Sequence, residues 1–80
     1  AYPNPFNPMT TISFDLTKAA RVQLDIFDIQ GRLVRTLVDE QFTAGSHAVE
    51  FDGAVLSSGI YFARIVTGNS THTHKIVLLK

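Results

Sequence analysis

With 80 residues and no cysteine, the chain has material for one domain and must hold it together by apolar burial, because disulfides and thiolate metal sites are not open to it. Seven basic residues balance seven acidic ones, so the surface lacks the basic face through which a protein binds nucleic acid by counterion release. The apolar residues, 45% of the chain, fall in short runs, and none approaches the length of a membrane span.

The chain opens on Tyr2-Pro3-Asn4-Pro5-Phe6-Asn7-Pro8, which holds all three prolines. Each proline fixes φ near −65° and disfavours the helical region at the residue before it. Asn4 and Asn7 are therefore extended or in turns, and Tyr2 and Phe6 become apolar anchors on a stiff ribbon. Residues 1–8 read as a lead-in that packs on the domain following it. No signal peptide is visible, and the abrupt opening at Ala1 reads as a domain excised from a longer protein.

Strands follow. In residues 9–16, Ile12, Phe14 and Leu16 alternate with Thr11, Ser13 and Asp15, the period of a half-buried strand. Lys18-Ala19-Ala20 connects to a second strand over residues 21–29, with Val22, Leu24 and Ile26 inward and Gln23 and Asp25 outward. Parity breaks at Phe27-Asp28-Ile29, which predicts a bulge or a strand end. Gln30-Gly31 is a hairpin signal. The third strand, residues 32–38, carries Leu33, Val34, Leu37 and Val38, a spacing that also fits one face of a helix; its two valines favour strand. Residues 39–45 read as a loop anchored by Phe42.

The fourth strand, residues 46–52, sets His47, Val49 and Phe51 on one face and Ala48 and Glu50 on the other, and Asp52-Gly53 closes it. A connection ending in Ser57-Ser58-Gly59 leads to a fifth strand, residues 60–66. It is apolar on both faces, with Tyr61, Ala63 and Ile65 against Ile60, Phe62 and Val66. Such a strand is central or covered from outside, and the aromatic lead-in is the natural cover. After Thr67-Gly68-Asn69-Ser70 a sixth strand runs from Thr71 to the end. Short strands, glycine turns and no long helix predict an all-β fold. Residues 1–80 then form a single domain, a small Ig-like antiparallel β-sandwich of about six to seven strands, without the immunoglobulin Cys…Trp…Cys signature.

Three stretches together resemble one family. The opening Tyr2-Pro3-Asn4-Pro5-Phe6-Asn7-Pro8 with Thr10-Thr11-Ile12 looks like its first signature. Leu33-Val34-Arg35-Thr36-Leu37, then Ala44-Gly45-Ser46-His47 with Asp52-Gly53, then Ser58-Gly59-Ile60-Tyr61-Phe62, is similar to its middle block. Lys75-Ile76-Val77-Leu78-Leu79-Lys80 looks like its last. The family is the C-terminal sorting domain of cargo carried by the type IX secretion system of Bacteroidetes and relatives. The resemblance implies a non-catalytic signal that takes an N-terminal cargo across the periplasm and outer membrane to the cell surface or exterior. The implied partners are the outer-membrane translocon and the surface sorting and attachment machinery, with no nucleic acid and no transmembrane segment. A related Ig-like module of flagellar hook-capping proteins shares the middle block, usually with a longer connection after its Asp-Gly. The short run from Asp52-Gly53 to Gly59 leans toward the sorting type.

Within that frame, Lys75, Ile76, Val77, Leu78, Leu79 and Lys80 are the candidate recognition residues. Ile76 and Leu78 fall on one face, Val77 and Leu79 on the other, and an apolar strand at a chain end can pair with a partner's sheet edge. The alternative is a final core strand. Gly45, Asp52, Gly53, Gly59 and Tyr61 join residues 2–8 as structural motif positions.

Other chemistries have thinner support. His72 and His74 share a strand face and could offer two imidazoles to zinc or copper, with His47 a third if strands four and six were neighbours. No carboxylate is evidently placed to complete that site, so no metal or other cofactor is expected. Asp15, Asp25, Asp28 and Asp52 lack the Asp-x-Asp-x-Asp-Gly spacing of a calcium loop, and Asp28 reads as a turn former. Ser57, Ser58 and His47 form no nucleophile elbow, so no enzyme is expected. A carbohydrate-binding module would need a row of exposed aromatics, and the chain has no tryptophan.

Overall fold

Among the described residues, the alternation of apolar and polar residues gives six strands and no helix: β1 (Met9–Leu16), β2 (Ala20–Asp28), β3 (Leu33–Phe42), β4 (Gly45–Asp52), β5 (Gly59–Thr67) and β6 (Ser70–Leu78). A computed structural model describes residues 9–68 and 70–79. All pairings are antiparallel; β1 and β4 form one sheet, and β3-β2-β5-β6 form the other in that order. This is the all-β sandwich the patterning predicts. Its core lies between the sheets, where Val22, Leu24 and Ile26 of β2 and Ala63 and Ile65 of β5 meet Ile12 of β1 and Phe51 of β4. Leu78 of β6 and Tyr61 of β5 close one end of it.

β5 is central, between β2 and β6, as its two apolar faces require. The cover expected from residues 1–8 lies outside the described residues. The β2–β3 hairpin turns at Gly31, whose φ of +84° is left-handed backbone that glycine adopts without steric cost. Asp28 organises the same turn. Its Oδ1 accepts from the Gln30 amide at 2.9 Å and the Arg32 amide at 3.0 Å, and its Oδ2 accepts from Arg32 Nε at 3.1 Å.

One expectation needs correction. The stretch read as a loop from residue 39 to 45 is mostly strand, because β3 continues to Phe42 and stays paired with β2 as far as Ala20↔Phe42. β3 is an edge strand, and Asp39, Glu40 and Gln41 are the exposed polar residues that such an edge tolerates and uses against unwanted pairing. The parity break at Phe27-Asp28-Ile29 marks the strand end expected there, because β2 stops at Asp28, and bulges precede it. The register slips between Leu24/Asp25 and Ile26/Phe27, leaving Leu37 and Val34 as the extra residues of β3. Val34, Leu37 and Val38 all pack against the core while Leu33 is 58% exposed, so the two bulges break strict alternation and let these four residues imitate a helix face.

Asp25 faces outward, as alternation predicts, yet it is only 2% exposed. It lies on the outer face of the four-stranded sheet under neighbouring side chains. Thr36 Oγ1 donates to its Oδ1 at 2.7 Å and Gln23 Nε2 to its Oδ2 at 3.0 Å, while Arg64 Nη2 stands 3.8 Å from Oδ2. A buried carboxylate is tolerable only with such partners.

Candidate functional site

β6 forms one edge of the four-stranded sheet and is paired with β5 alone among the described residues. Period-two alternation divides its last turns of chain between two tasks. Ile76 is half-buried and Leu78 is 2% exposed, both facing the core. Lys75 is exposed on the other side, with Val77 at 52% and Leu79 at 75%. Lys80 lies outside the described residues. Sequence pattern had placed Ile76 and Leu78 opposite Val77 and Leu79, and the burial follows that division.

Four of the motif positions converge on the buried end of this strand. Leu78 stands opposite Gly59 and Ile76 opposite Tyr61 in the β5–β6 ladder. Gly53 is buried beneath Leu78: a Cβ built on it would lie 2.7 Å from Leu78 Cδ1. This glycine supplies close approach, because its backbone is not in the left-handed region. Asp52 fixes the turn that carries Gly53. Its Oδ1 accepts from the Ala54 amide at 2.9 Å, its carbonyl accepts from Arg35 Nη1 at 2.8 Å, and the Gly53 carbonyl accepts from the Leu56 amide at 2.9 Å. Tyr61 Oη donates to the Ser57 carbonyl at 2.8 Å, binding the following connection to β5. Gly45 is not part of this seat: it starts β4 opposite Leu16, at the other end of the sandwich. Residues 2–8 lie outside the described residues.

The chain matches the family model of the secretion system C-terminal sorting domain over residues 1–79. It belongs to that family. The family match makes this sorting domain a C-terminal sorting signal for type IX secretion, in a family whose members serve as non-catalytic signals, and it implies a protein that is secreted or held at the cell surface. No curated protein and no solved structure gives a significant match.

The other candidate residues of the sorting domain are dispersed. His72 and His74 line a half-open groove of about 480 Å³ between β1 and β6, beside Phe14 and Ile65. His47 does not join them, since β4 pairs with β1 and β6 with β5. Its ring instead packs 5.5 Å from Phe14 and 4.9 Å from Phe42, with Nε2 hydrogen-bonded to the Thr43 carbonyl at 2.8 Å. The aspartates are each engaged locally: Asp15 accepts from Ser46 Oγ at 2.6 Å, and Asp25, Asp28 and Asp52 have the partners given above. Among the described residues, no three His, Asp or Glu side chains gather as a metal site would require. The Asp28 carboxyl is held below its ordinary value of 3.8 by the Arg32 amide, then by the Gln30 amide and the Arg32 side chain, with desolvation opposing.

Sequence reasoning missed the Asp25–Arg64 pair and the Gly53–Leu78 contact. Asp25 and Arg64 are ladder partners of β2 and β5, a relation that depends on the strand order. Arg64 also sets its guanidinium over the Phe27 ring, 4.5 Å from the centroid, a cation–π contact on the outer face of the sheet. A polar residue at the centre of an apolar strand was the one available signal for Asp25.

Proposed function

We propose that this domain carries an N-terminal cargo across the periplasm and outer membrane, that the translocon and the surface attachment machinery read it, and that β6 is the strand they read. The observation that carries the reading is the division of residues 75–79. The inward side chains fasten the strand to the core, and the outward ones stand at an open sheet edge. Main-chain pairing at such an edge supplies affinity, and the alternate side chains, here Lys75, Val77 and Leu79, supply selectivity. The domain contributes recognition and the cargo contributes any chemistry.

The test is a secreted reporter fused ahead of residues 1–80 in a bacterium that has the type IX system. Val77→Asp and Leu79→Asp alter only exposed side chains, so each is expected to change stability by no more than about 0.5 kcal/mol. Reporter retained in the periplasm with an unchanged melting temperature supports the reading. Normal delivery of both variants to the surface or the medium refutes it.

A further inference from the structure

Among the described residues, the large apolar side chains left in water are not scattered. Met9, Ile29, Leu33, Val55, Val77 and Leu79 are exposed by 46% to 81%. Met9 begins β1, Ile29 follows β2, Leu33 begins β3, Val55 lies just past β4, and Val77 and Leu79 finish β6. The registers bring all of these to one end of the sandwich. Met9 stands opposite Asp52, Leu33 opposite Phe27, Asp28 opposite Tyr61, and Leu78 opposite Gly59. The two sheets are tied together at this end by the Arg35–Asp52 hydrogen bond and by Leu78 on Gly53. The opposite end is polar, with Lys18, Glu40, Gln41 and Ser46 exposed.

The apolar end continues into a shallow trough of about 300 Å³ on the outer face, walled by Phe27, Phe62 and Ile29 and rimmed by Arg64. An apolar surface collected in one place marks a docking site. We propose that it receives the lead-in of the same chain, residues 2–8, with the rings of Tyr2 and Phe6 seated against Leu33 and the trough, leaving Val77 and Leu79 open at the sheet edge.

Four features select this occupant. The lead-in joins the sandwich at Met9, which is itself one of the exposed residues of that end. At roughly 3.1 Å per residue Tyr2 reaches about 22 Å from Met9, enough to pass the ~10 Å between sheet layers and arrive on the outer face, while Phe6 reaches about 9 Å, toward the Leu33 end of the sandwich. Its composition is complementary, because prolines hold two aromatic rings on an extended segment that has little conformational freedom left to lose. Tethering adds an effective concentration in the millimolar range, which favours the chain's own lead-in over that of a second copy. On the proposed reading of β6, a partner would then meet both chain ends together, since the docked lead-in adjoins Val77 and Leu79. The docking itself stands apart from that reading and is tested without secretion.

The 80-residue chain has no tryptophan, so Tyr2→Trp or Phe6→Trp introduces a single emission probe. The expected emission is blue-shifted, shielded from acrylamide and independent of protein concentration. Adding Leu33→Asp should return it to the solvent value, while Gln41→Asp at the polar end should leave it shielded. In the unsubstituted chain, ring protons of Tyr2 and Phe6 should show NOEs to methyl groups of Leu33 or Ile29, a readout that needs no variant to fold. Solvent-like emission together with absent NOEs would overturn the proposal. So would shielding that appears only as concentration rises, which would assign the surface to a second copy, or NOEs solely to residues elsewhere on the sandwich.

Discussion

Gly53 is the position where a single methyl group tests the account of the terminal strand. Its backbone is outside the left-handed region, so alanine meets no conformational penalty there. At such a site Gly→Ala normally stabilises by about 0.4–1 kcal/mol through the unfolded chain. The added Cβ, however, would stand 2.7 Å from Leu78 Cδ1 and 3.1 Å from Cδ2. Leu78 is 2% exposed, so its branch can retreat only into occupied core, and overpacking of this kind costs about 1–3 kcal/mol. The clash wins. Gly53→Ala should destabilise by about 1–1.5 kcal/mol net, which in a domain of this size lowers the melting temperature by roughly 4–12 °C. Leu78→Ala should cost about 2–5 kcal/mol through lost burial and a cavity. In the double variant the new methyl group enters that cavity, so the combined loss should fall short of the sum by about 1–2 kcal/mol. Urea denaturation of the four proteins at low temperature, followed by far-UV circular dichroism, closes the cycle. Strict additivity, or a stabilised Gly53→Ala, would refute the seat described for Leu78.

Asp25→Ala should destabilise by about 1–3 kcal/mol, since Thr36 and Gln23 lose a shared buried acceptor; Arg64→Ala should cost less, because its pair with Asp25 spans 3.8 Å and its side chain is 46% exposed. Equal losses in the two urea titrations would show that the ion pair, and not the hydrogen bonds, holds that carboxylate. Asp28 is expected to shape the acid limb of stability. Its folded-state pKa lies below 3.8, so its contribution is complete above the unfolded value and disappears as pH falls through the lowered one. The urea midpoint of the natural chain should therefore fall more steeply below about pH 4 than that of Asp28→Asn. Parallel acid limbs would remove Asp28 from the account.

Much of the fold was legible because a half-buried strand writes its orientation into alternate residues. Ile12, Phe14 and Leu16 or Val22, Leu24 and Ile26 could be assigned to one face with no knowledge of what would cover it. β3 was the obscure element for a physical reason. Its two bulges change side-chain parity twice within a few residues, and its polar second half is held by pairing with β2, a long-range property that residues 39–42 do not advertise. The burial of Asp25 was illegible on the same principle: alternation gives the face of a residue, and gave this one correctly, but burial depends on Thr36 and Arg64, which arrive from two other strands. At the candidate site, the roles of Ile76, Leu78, Val77 and Leu79 followed from parity. That Gly53, Gly59 and Tyr61 surround the same strand end did not, because the spacing of a motif along the chain carries no strand order.

The terminal strand has to satisfy two demands with few residues, and the period of a strand lets it do so. Were Leu78 outward, the edge would gain apolar surface for a partner but lose its hold on the core, leaving a frayed chain end whose ordering a partner would have to supply. Were Val77 and Leu79 inward as well, the edge would offer a partner main-chain groups with no apolar side chain to select among strands. The alternation places binding and anchoring on opposite faces of one short segment, and the Gly53 seat fixes which face is which. It also makes presentation of the edge conditional on the Asp52–Gly53 turn and Tyr61 being in place. On the proposed reading, then, a domain that has not closed its core would be a poor signal even with every outward residue intact. Gly53→Ala, which touches no exposed residue of β6, would weaken recognition only as far as it weakens the fold.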